Sequence, residues 1–194
     1  GMAIGANSQA KGSQSIVLAN NVPGAKLSTA SGIRSQVYGV ESEVSGSNSV
    51  AMGSTNTVAS HRTYAIGNNI NVATGADDSL AFGTKAGVGG ANAIALGNTA
   101  KATKENTIAQ GTESVVYGKN SVSIGYKAVS GIETPTPTQT NAFSVSIGNE
   151  TEAIDASTIA IGDKAKAKGG VDALAVGTQA NAMTYKALAI GAYS

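Results

Sequence analysis

The 194-residue sequence contains no cysteine and no tryptophan, and it has few aromatic (4%) or charged (13%) residues. Without cysteine, the chain can form neither a disulfide framework nor a thiolate metal site. A formal net charge of +1 gives little electrostatic attraction to nucleic acid or to an anionic membrane surface. No segment approaches the roughly 18 consecutive apolar residues of a membrane-spanning helix, and no signal peptide is evident. These absences argue against nucleic-acid partners and against direct membrane contact.

The sequence does contain a recurring tetrad of an aliphatic residue, a small residue, a second aliphatic residue and glycine. The clearest copies are Val50-Ala51-Met52-Gly53, Ile94-Ala95-Leu96-Gly97, Val122-Ser123-Ile124-Gly125, Ile159-Ala160-Ile161-Gly162 and Leu188-Ala189-Ile190-Gly191. The closing positions are residues 5, 19 (alanine in place of glycine), 39, 53, 67, 83, 97, 111, 125, 148, 162, 177 and 191. Most of them are 14 residues apart, and such a constant period indicates a solenoid with one coil per repeat.

Each repeat predicts one coil made of two short strands and two turns. In one coil, residues 93–96 form strand one, 97–99 a turn, 100–103 strand two and 104–106 a second turn. We therefore predict a single all-β domain over residues 1–194, a parallel β-roll of about 13 coils. The longer intervals predict turn insertions at residues 20–27 and 132–142. Because the chain begins within one repeat and stops within another, we expect it to be a fragment of a longer protein.

Alternation along the strands predicts the interior of the roll. Ile94 and Leu96 of strand one would face Ala100 and Ala102 of strand two. The opposite face of strand one then carries only small, uncharged residues, and nothing in the chain is left to cover them. We expect this column to be buried against other copies around a common axis, with a homotrimer as the natural closure. The predicted interface residues are Ala51, Ala65, Ala81, Ala95, Ala109, Ser123, Ser146, Ala160, Ala175 and Ala189.

The inventory of reactive side chains argues against an enzyme. The single histidine, His61, lies in a predicted turn. The pair Asp77 and Asp78 is more typical of an inserted turn than of a cation site. Glycine-rich residues 87–90 lack the helix context and lysine of a phosphate loop. Left-handed β-helix acyltransferases have a six-residue period and a catalytic histidine, and calcium-binding rolls need Gly-Gly-x-Gly-x-Asp arrays. The sequence predicts no catalytic residue, no cofactor and no metal site.

Apolar residues interrupt the otherwise polar outer column of strand two beside the second insertion. They are Val115, Tyr117, Val129 and Ile154, and the insertion itself contains Thr134, Pro135, Thr136 and Pro137. Two interpretations remain open. The inserted loop covers these side chains, or the loop and the side chains together form a partner-binding site.

The repeats resemble a known family. Residues 48–53 (Asn-Ser-Val-Ala-Met-Gly), residues 120–125 (Asn-Ser-Val-Ser-Ile-Gly) and the Ala-x-Ala segments after the glycines are similar to the YadA-type head of trimeric autotransporter adhesins, the type V secretion proteins. The resemblance implies a left-handed parallel β-roll, assembled as a homotrimer and carried at the bacterial cell surface on a stalk with an outer-membrane anchor.

The resemblance also implies a function. Such a head would be a non-catalytic adhesin that binds host extracellular matrix, host cell receptors or other bacteria, with autoagglutination and biofilm formation as consequences. The alternative is a structural spacer that projects another binding module. A spacer should have uniform outer surfaces, and the two insertions and the apolar column of strand two favour the adhesin.

Overall fold

The computed structural model describes residues 1–133 and 142–194 as a parallel β-solenoid of about 13 coils with repeats of about 14 residues. This confirms the all-β architecture that the repeats predict. No helix occurs among the described residues, and hence none that is long and apolar enough to cross a membrane. The homotrimer and the left-handed sense of the roll remain predictions.

The chain divides into two compact units, which we call the N-terminal unit (Gly1–Thr99) and the C-terminal unit (Ala100–Ser194). The N-terminal unit contains β1 (Met2–Ile4), β2 (Ser8–Ala10), β3 (Ile16–Leu18), β4 (Ser28–Ala30), β5 (Gln36–Tyr38), β6 (Glu43–Val44), β7 (Val50–Ser54), β8 (Thr57–Val58), β9 (Tyr64–Asn68), β10 (Asn71–Val72), β11 (Leu80–Thr84), β12 (Gly87–Val88) and β13 (Ile94–Leu96). The C-terminal unit contains β14 (Lys101–Ala102), β15 (Ile108–Gln110), β16 (Val115–Val116), β17 (Val122–Ile124), β18 (Val129–Ser130), β19 (Val145–Ile147), β20 (Glu152–Ala153), β21 (Ile159–Ile161), β22 (Lys166–Ala167), β23 (Leu174–Val176), β24 (Asn181–Ala182) and β25 (Leu188–Ile190). A single domain over the whole chain remains a prediction.

Within each unit, the odd-numbered strands form one parallel sheet and the even-numbered strands form the other. The register follows the sequence repeat, so that Ala51 of β7 pairs with Ala65 of β9, and Ser123 of β17 pairs with Ser146 of β19. The second of these pairs spans the longer insertion, and the register is still kept. The odd-numbered strands are the predicted strand one of each coil, and the even-numbered strands are strand two.

Every half-coil turns at a residue in the left-handed region of backbone conformation. In the N-terminal unit, Glu41, Asn48, Thr55, Arg62 and Asn69 have φ between 53° and 58°. They recur at a spacing of seven residues, so the coil of 14 consists of two similar halves. A small polar residue follows each of the first four, and its side chain is buried, as at Ser42, Ser49, Asn56 and Thr63.

The closing glycine of each tetrad has a steric reason. Gly53 has φ of +116°, and a Cβ at this position would collide with the carbonyl oxygen of Gly67 in the next coil. Side chains other than hydrogen are excluded both by the left-handed conformation and by the close stacking of backbone on backbone.

The structure corrects the predicted orientation of strand one. The small column that was predicted to face other copies points into the roll instead, and most of its side chains are fully buried within the single chain. The residues concerned are Ala51, Ala65, Ala81, Ala95, Ala109, Ser123, Ser146, Ala160, Ala175 and Ala189. Ile94 and Leu96, which were predicted to be interior, point outward and are half-buried. On strand two the prediction is right, because Ala100 and Ala102 are fully buried and Lys101 is exposed.

The thickness of the interior explains the correction. The Ser123 hydroxyl of β17 donates a hydrogen bond of 2.9 Å to the Val115 carbonyl oxygen of β16 in the opposite sheet. The Ser130 hydroxyl of β18 donates in return to the Val122 carbonyl oxygen, at 2.6 Å. A single serine side chain therefore spans the whole gap between the sheets, which leaves no room for isoleucine or leucine on both sides. In the C-terminal unit most of the remaining core is alanine.

Each insertion lies between two successive strands of the chain. Residues 20–27 connect β3 to β4, and Val22–Ala25 form a tight turn closed by the Ala25 amide and the Val22 carbonyl. Lys26 in this insertion reaches Glu43 on the outer face of β6, with 3.3 Å between Nζ and Oε2. The longer insertion connects β18 to β19, and its Thr134, Pro135, Thr136 and Pro137 lie outside the described residues.

Candidate partner-binding surfaces

The outer faces of the odd-numbered strands form an apolar surface on each unit, which we call the strand-one column. In the C-terminal unit its residues are Ile108, Gln110, Val122, Ile124, Val145, Ile147, Ile159, Ile161, Leu174, Val176, Leu188 and Ile190. In the N-terminal unit they are Met2, Ile4, Ile16, Leu18, Gln36, Tyr38, Val50, Met52, Tyr64, Ile66, Leu80, Phe82, Ile94 and Leu96. Many are more than one-third exposed, including Tyr64 (51%) and Phe82 (52%). Neither unit has a charged residue in this column.

Sequence reasoning assigned these large side chains to the interior and so missed the surface. The missed signal is the seven-residue spacing of small polar residues at positions 28, 35, 42, 49, 56 and 63. These side chains are buried and link successive coils, as where the Ser49 hydroxyl donates to the Ser60 carbonyl and accepts from the Thr63 amide. A period of seven places the small residue of each half-coil inward. Alternation then sends the flanking aliphatic residues outward.

The second candidate surface is the strand-two patch, formed by Val115, Tyr117, Val129 and Ile154 on the C-terminal unit. Val115 and Val129 are register partners in β16 and β18, and both face outward, as predicted. Tyr117 and Ile154 lie one coil to either side of Gly131, which has no side chain to separate them. All four patch side chains are half-buried. The structure thus brings the four predicted residues together on one face.

Charged residues border the strand-two patch on both sides. Lys101 is the register partner of Val115 on one side, and Glu152 is the partner of Val129 on the other. The Glu152 carboxylate pairs with Lys166 at 3.1 Å and with Lys168 at 2.8 Å. Burial alone would raise the pKa of the Glu152 carboxyl, but the hydrogen bonds from Lys168 and Lys166 outweigh it and lower that pKa. An apolar centre with a charged rim is the arrangement typical of protein-binding surfaces.

Tyr117 is the aromatic residue of the patch. Burial raises the pKa of its phenol, and the nearby negative charge of Glu133 raises it further. Both effects favour the neutral, protonated form of the phenol. Tyrosine in such a setting combines a large apolar surface with a hydrogen-bonding tip, which suits a contact with a partner.

The acidic pair and the histidine of the N-terminal unit have structural partners. Arg62 pairs with both Asp77 and Asp78 across adjacent coils, and the hydrogen bond from Arg62 lowers the pKa of the Asp78 carboxyl. The His61 amide donates to the Asp77 carboxylate, while its Nδ1 accepts from the Ser47 amide. Gly75, with φ of +83° in open space, turns the chain here, which agrees with an inserted turn. Within residues 1–133 and 142–194, no cluster of side chains suits a metal ion.

These features define a class of protein, a repetitive β-solenoid that presents apolar outer surfaces and has no catalytic constellation among its described residues. Comparison with known families identifies the family. The YadA head domain repeat matches residues 1–18, 30–56, 73–100, 102–128 and 169–194, more than half of the chain. No curated protein and no solved structure matches the chain. The chain belongs to the YadA head family, which is a family of adhesin domains rather than of enzymes.

Proposed function

We propose that this chain is the head of a trimeric autotransporter adhesin, displayed at the bacterial cell surface and binding host matrix, host cell receptors or other bacteria. Three copies assemble through their strand-one columns, and the outer faces of strand two are left for partners. The binding is non-catalytic and needs no cofactor.

The strand-one column is the observation that carries the assembly. A long row of exposed isoleucine, leucine, valine and aromatic side chains on a monomer marks a surface that another protein covers. Fully burying an exposed side chain of this kind contributes about 1.5–3 kcal/mol. The column side chains are already partly buried in the single chain, so each contributes a fraction of that, and most coils supply two of them. Three equivalent columns meeting at an axis form a closed apolar core. This arrangement fits the trimeric assembly implied by membership of the YadA head family.

The strand-two patch is the proposed adhesion surface within the C-terminal unit. We include with it the insertion at 132–142, which follows β18 in the sequence and contains Thr134, Pro135, Thr136 and Pro137. Insertions that interrupt a solenoid are frequent sites of binding, because turns accept extra residues without disturbing the coils. Three symmetric copies would add avidity, so weak individual contacts would be enough to hold a cell.

A binding screen tests the function. The molecular mass of the purified chain is first measured by sedimentation, and we expect the mass of three protomers. The trimer is then screened for attachment to immobilised matrix proteins, to epithelial cells and to bacterial cells. Attachment to at least one of these supports an adhesin. A trimer that binds none of them, although it promotes attachment when a separate binding module is fused to it, supports a spacer instead.

Two variants test the surface. Changing Tyr117 and Ile154 to serine should lower attachment while the mass remains that of the trimer. Excising nine residues of the 132–142 insertion, which restores a 14-residue coil, should lower attachment as well. If the loop is only a cover, excision promotes aggregation and the serine changes leave attachment unaltered. Full attachment with both changes combined would move the adhesion surface to the insertion at 20–27.

A further inference from the structure

One polar side chain interrupts the strand-one column of the C-terminal unit. Gln110 is the last residue of β15, and its register partner in β17 is Ile124. All other outer residues of strand one in this unit are aliphatic. The Gln110 side chain is exposed, and its carboxamide has no hydrogen-bond partner within the described part of the chain. A polar group with two donors and an acceptor thus stands unpaired in a surface that is otherwise apolar.

The N-terminal unit supplies a direct contrast. Gln36 occupies an outer position of β5, between Ile16 and Val50 in the register. Its Oε1 accepts a hydrogen bond of 2.8 Å from the Tyr38 hydroxyl, and the side chain is half-buried. The acceptor of Gln36 is therefore satisfied within its own chain, whereas the carboxamide of Gln110 depends on something outside it.

An interface made of similar coils leaves the axial register of the chains ambiguous, and a polar residue such as Gln110 can remove that ambiguity. The coils of a parallel solenoid follow one another at roughly 4.8 Å, and each presents a similar aliphatic pair. Apolar contact is not directional, so a chain displaced by one coil relative to its partners would meet nearly the same surface. In coiled coils, a single buried polar residue removes this degeneracy, because a wrong register leaves it unpaired.

We propose that the three Gln110 carboxamides, one from each protomer, hydrogen bond to one another around the threefold axis and fix the axial register of the chains. The inference rests on the trimer proposed above. In the ring, an Nε2 hydrogen of each carboxamide donates to the Oε1 of the next, so that three donors meet three acceptors. A chain displaced by one coil would bring its Gln110 level with aliphatic residues of its neighbours and would bury the amide without a partner.

The absence of cysteine makes the register measurable. Ile147 and Ile161 are register partners in β19 and β21, and they are 36% and 37% exposed. Two single-cysteine chains, Ile147→Cys and Ile161→Cys, carry different tags, are refolded together and are oxidised. Disulfides between like positions report trimers in register. Disulfides between position 147 of one chain and position 161 of another report a displacement by one coil, since a disulfide tolerates only a narrow range of Cα separations.

The pair of cysteine chains is prepared in three backgrounds: native, Gln110→Leu and Gln36→Leu. We expect links between like positions in the native and Gln36→Leu backgrounds, and a severalfold rise in mixed links in Gln110→Leu. The mass of the trimer should be unchanged, because leucine keeps the interface apolar.

Three results would count against the register role. Mixed links in Gln110→Leu that stay at the native level would show that other contacts set the register. Mixed links that are already frequent in the native trimer, or the absence of disulfides from a trimer of the correct mass, would also overturn it. A native chain that sediments as a monomer would instead contradict the proposed trimer, so the two failures are distinguishable.

Discussion

The inner and outer faces of strand one differ in size of side chain, although they alternate along the same three residues. The inner face carries alanine, serine and, at Val17 and Val37, valine, because the sheets are so close that one serine can span the interior, as Ser123 does. The outer face has no such limit within the chain and carries isoleucine, leucine, tyrosine and phenylalanine. The comparison shows that in so thin a solenoid the large apolar residues are not the core. They are the surface that requires a partner, and substitutions on the two faces should therefore have different consequences.

The largest effect is expected on the inner face. Ala160 is fully buried in the alanine core of the C-terminal unit, together with Ala153, Ala165 and Ala167. Changing Ala160 to glutamate would place an unpaired carboxylate where no water and no cation can reach it, at a cost of about 3–5 kcal/mol. We expect the C-terminal unit to lose its fold, seen as a loss of the β signal in circular dichroism and of the cooperative thermal transition. A folded variant with the native melting temperature would show that position 160 faces solvent.

The adjacent outer residue provides the matched change. Ile161 follows Ala160 directly in β21 and is 37% exposed in the single chain. Ile161→Glu should leave the coil intact, because the carboxylate points into water when the chain is alone. In the trimer it would bring three carboxylates into an apolar core, so we expect dissociation to folded monomers. Sedimentation together with circular dichroism separates loss of assembly from loss of fold. A stable trimer of this variant would remove strand one from the interface.

The two faces also show how far the sequence alone determines the result. The period of 14 residues predicted the coils, their register and the turns, because the backbones of successive coils stack in the same way whichever face the side chains occupy. It did not decide which face of strand one points inward, since alternation is the same for both choices. That choice depends on the distance between the sheets, which contacts such as that between Ser130 and the Val122 carbonyl show directly. In the sequence, the only indication of it is the seven-residue spacing of small polar residues. On strand two, Lys101 identified the outer face from the sequence, because a charged side chain has no place in a core.

The turn that connects the strands can be changed without touching either face. Gly53→Ala would place a Cβ against the Gly67 carbonyl oxygen in the next coil, in addition to the cost of a left-handed alanine. Gly24 in the first insertion also has positive φ, of +86°, but has no heavy atom near the position of a Cβ. We expect Gly53→Ala to destabilise by more than about 2 kcal/mol and Gly24→Ala by about 1 kcal/mol, measured by urea unfolding. Equal losses would mean that the coil relaxes around the added methyl group.

The hydroxyl groups that span the interior should have a smaller effect. Ser123→Ala removes the donor to the Val115 carbonyl oxygen but keeps the volume of the side chain close to that of serine. We expect a loss of about 1 kcal/mol in the free energy of unfolding. Ser13→Ala, at an exposed position, is the control and should have an effect close to zero. If Ser123→Ala is as stable as the native chain, the close approach of the sheets is set by alanine packing and not by these hydrogen bonds.

The smallest effect is expected on the outer face of strand two, whose side chains are charged at positions such as Glu152 and not apolar. Because the pKa of Glu152 is lower in the folded chain than in the unfolded chain, its ion pairs stabilise the fold above the ordinary carboxyl pKa. This contribution is lost as the pH falls through the lowered pKa of the folded state.

Glu152→Gln should therefore reduce stability at neutral pH by less than about 1 kcal/mol and have no effect at acid pH, where the native residue is protonated. Glu105→Gln, which removes a more exposed pair with Lys119, is the control and should reduce stability at neutral pH less. An equal loss at neutral and acid pH for Glu152→Gln would mean that its side chain acts through packing beside the strand-two patch and not through its charge.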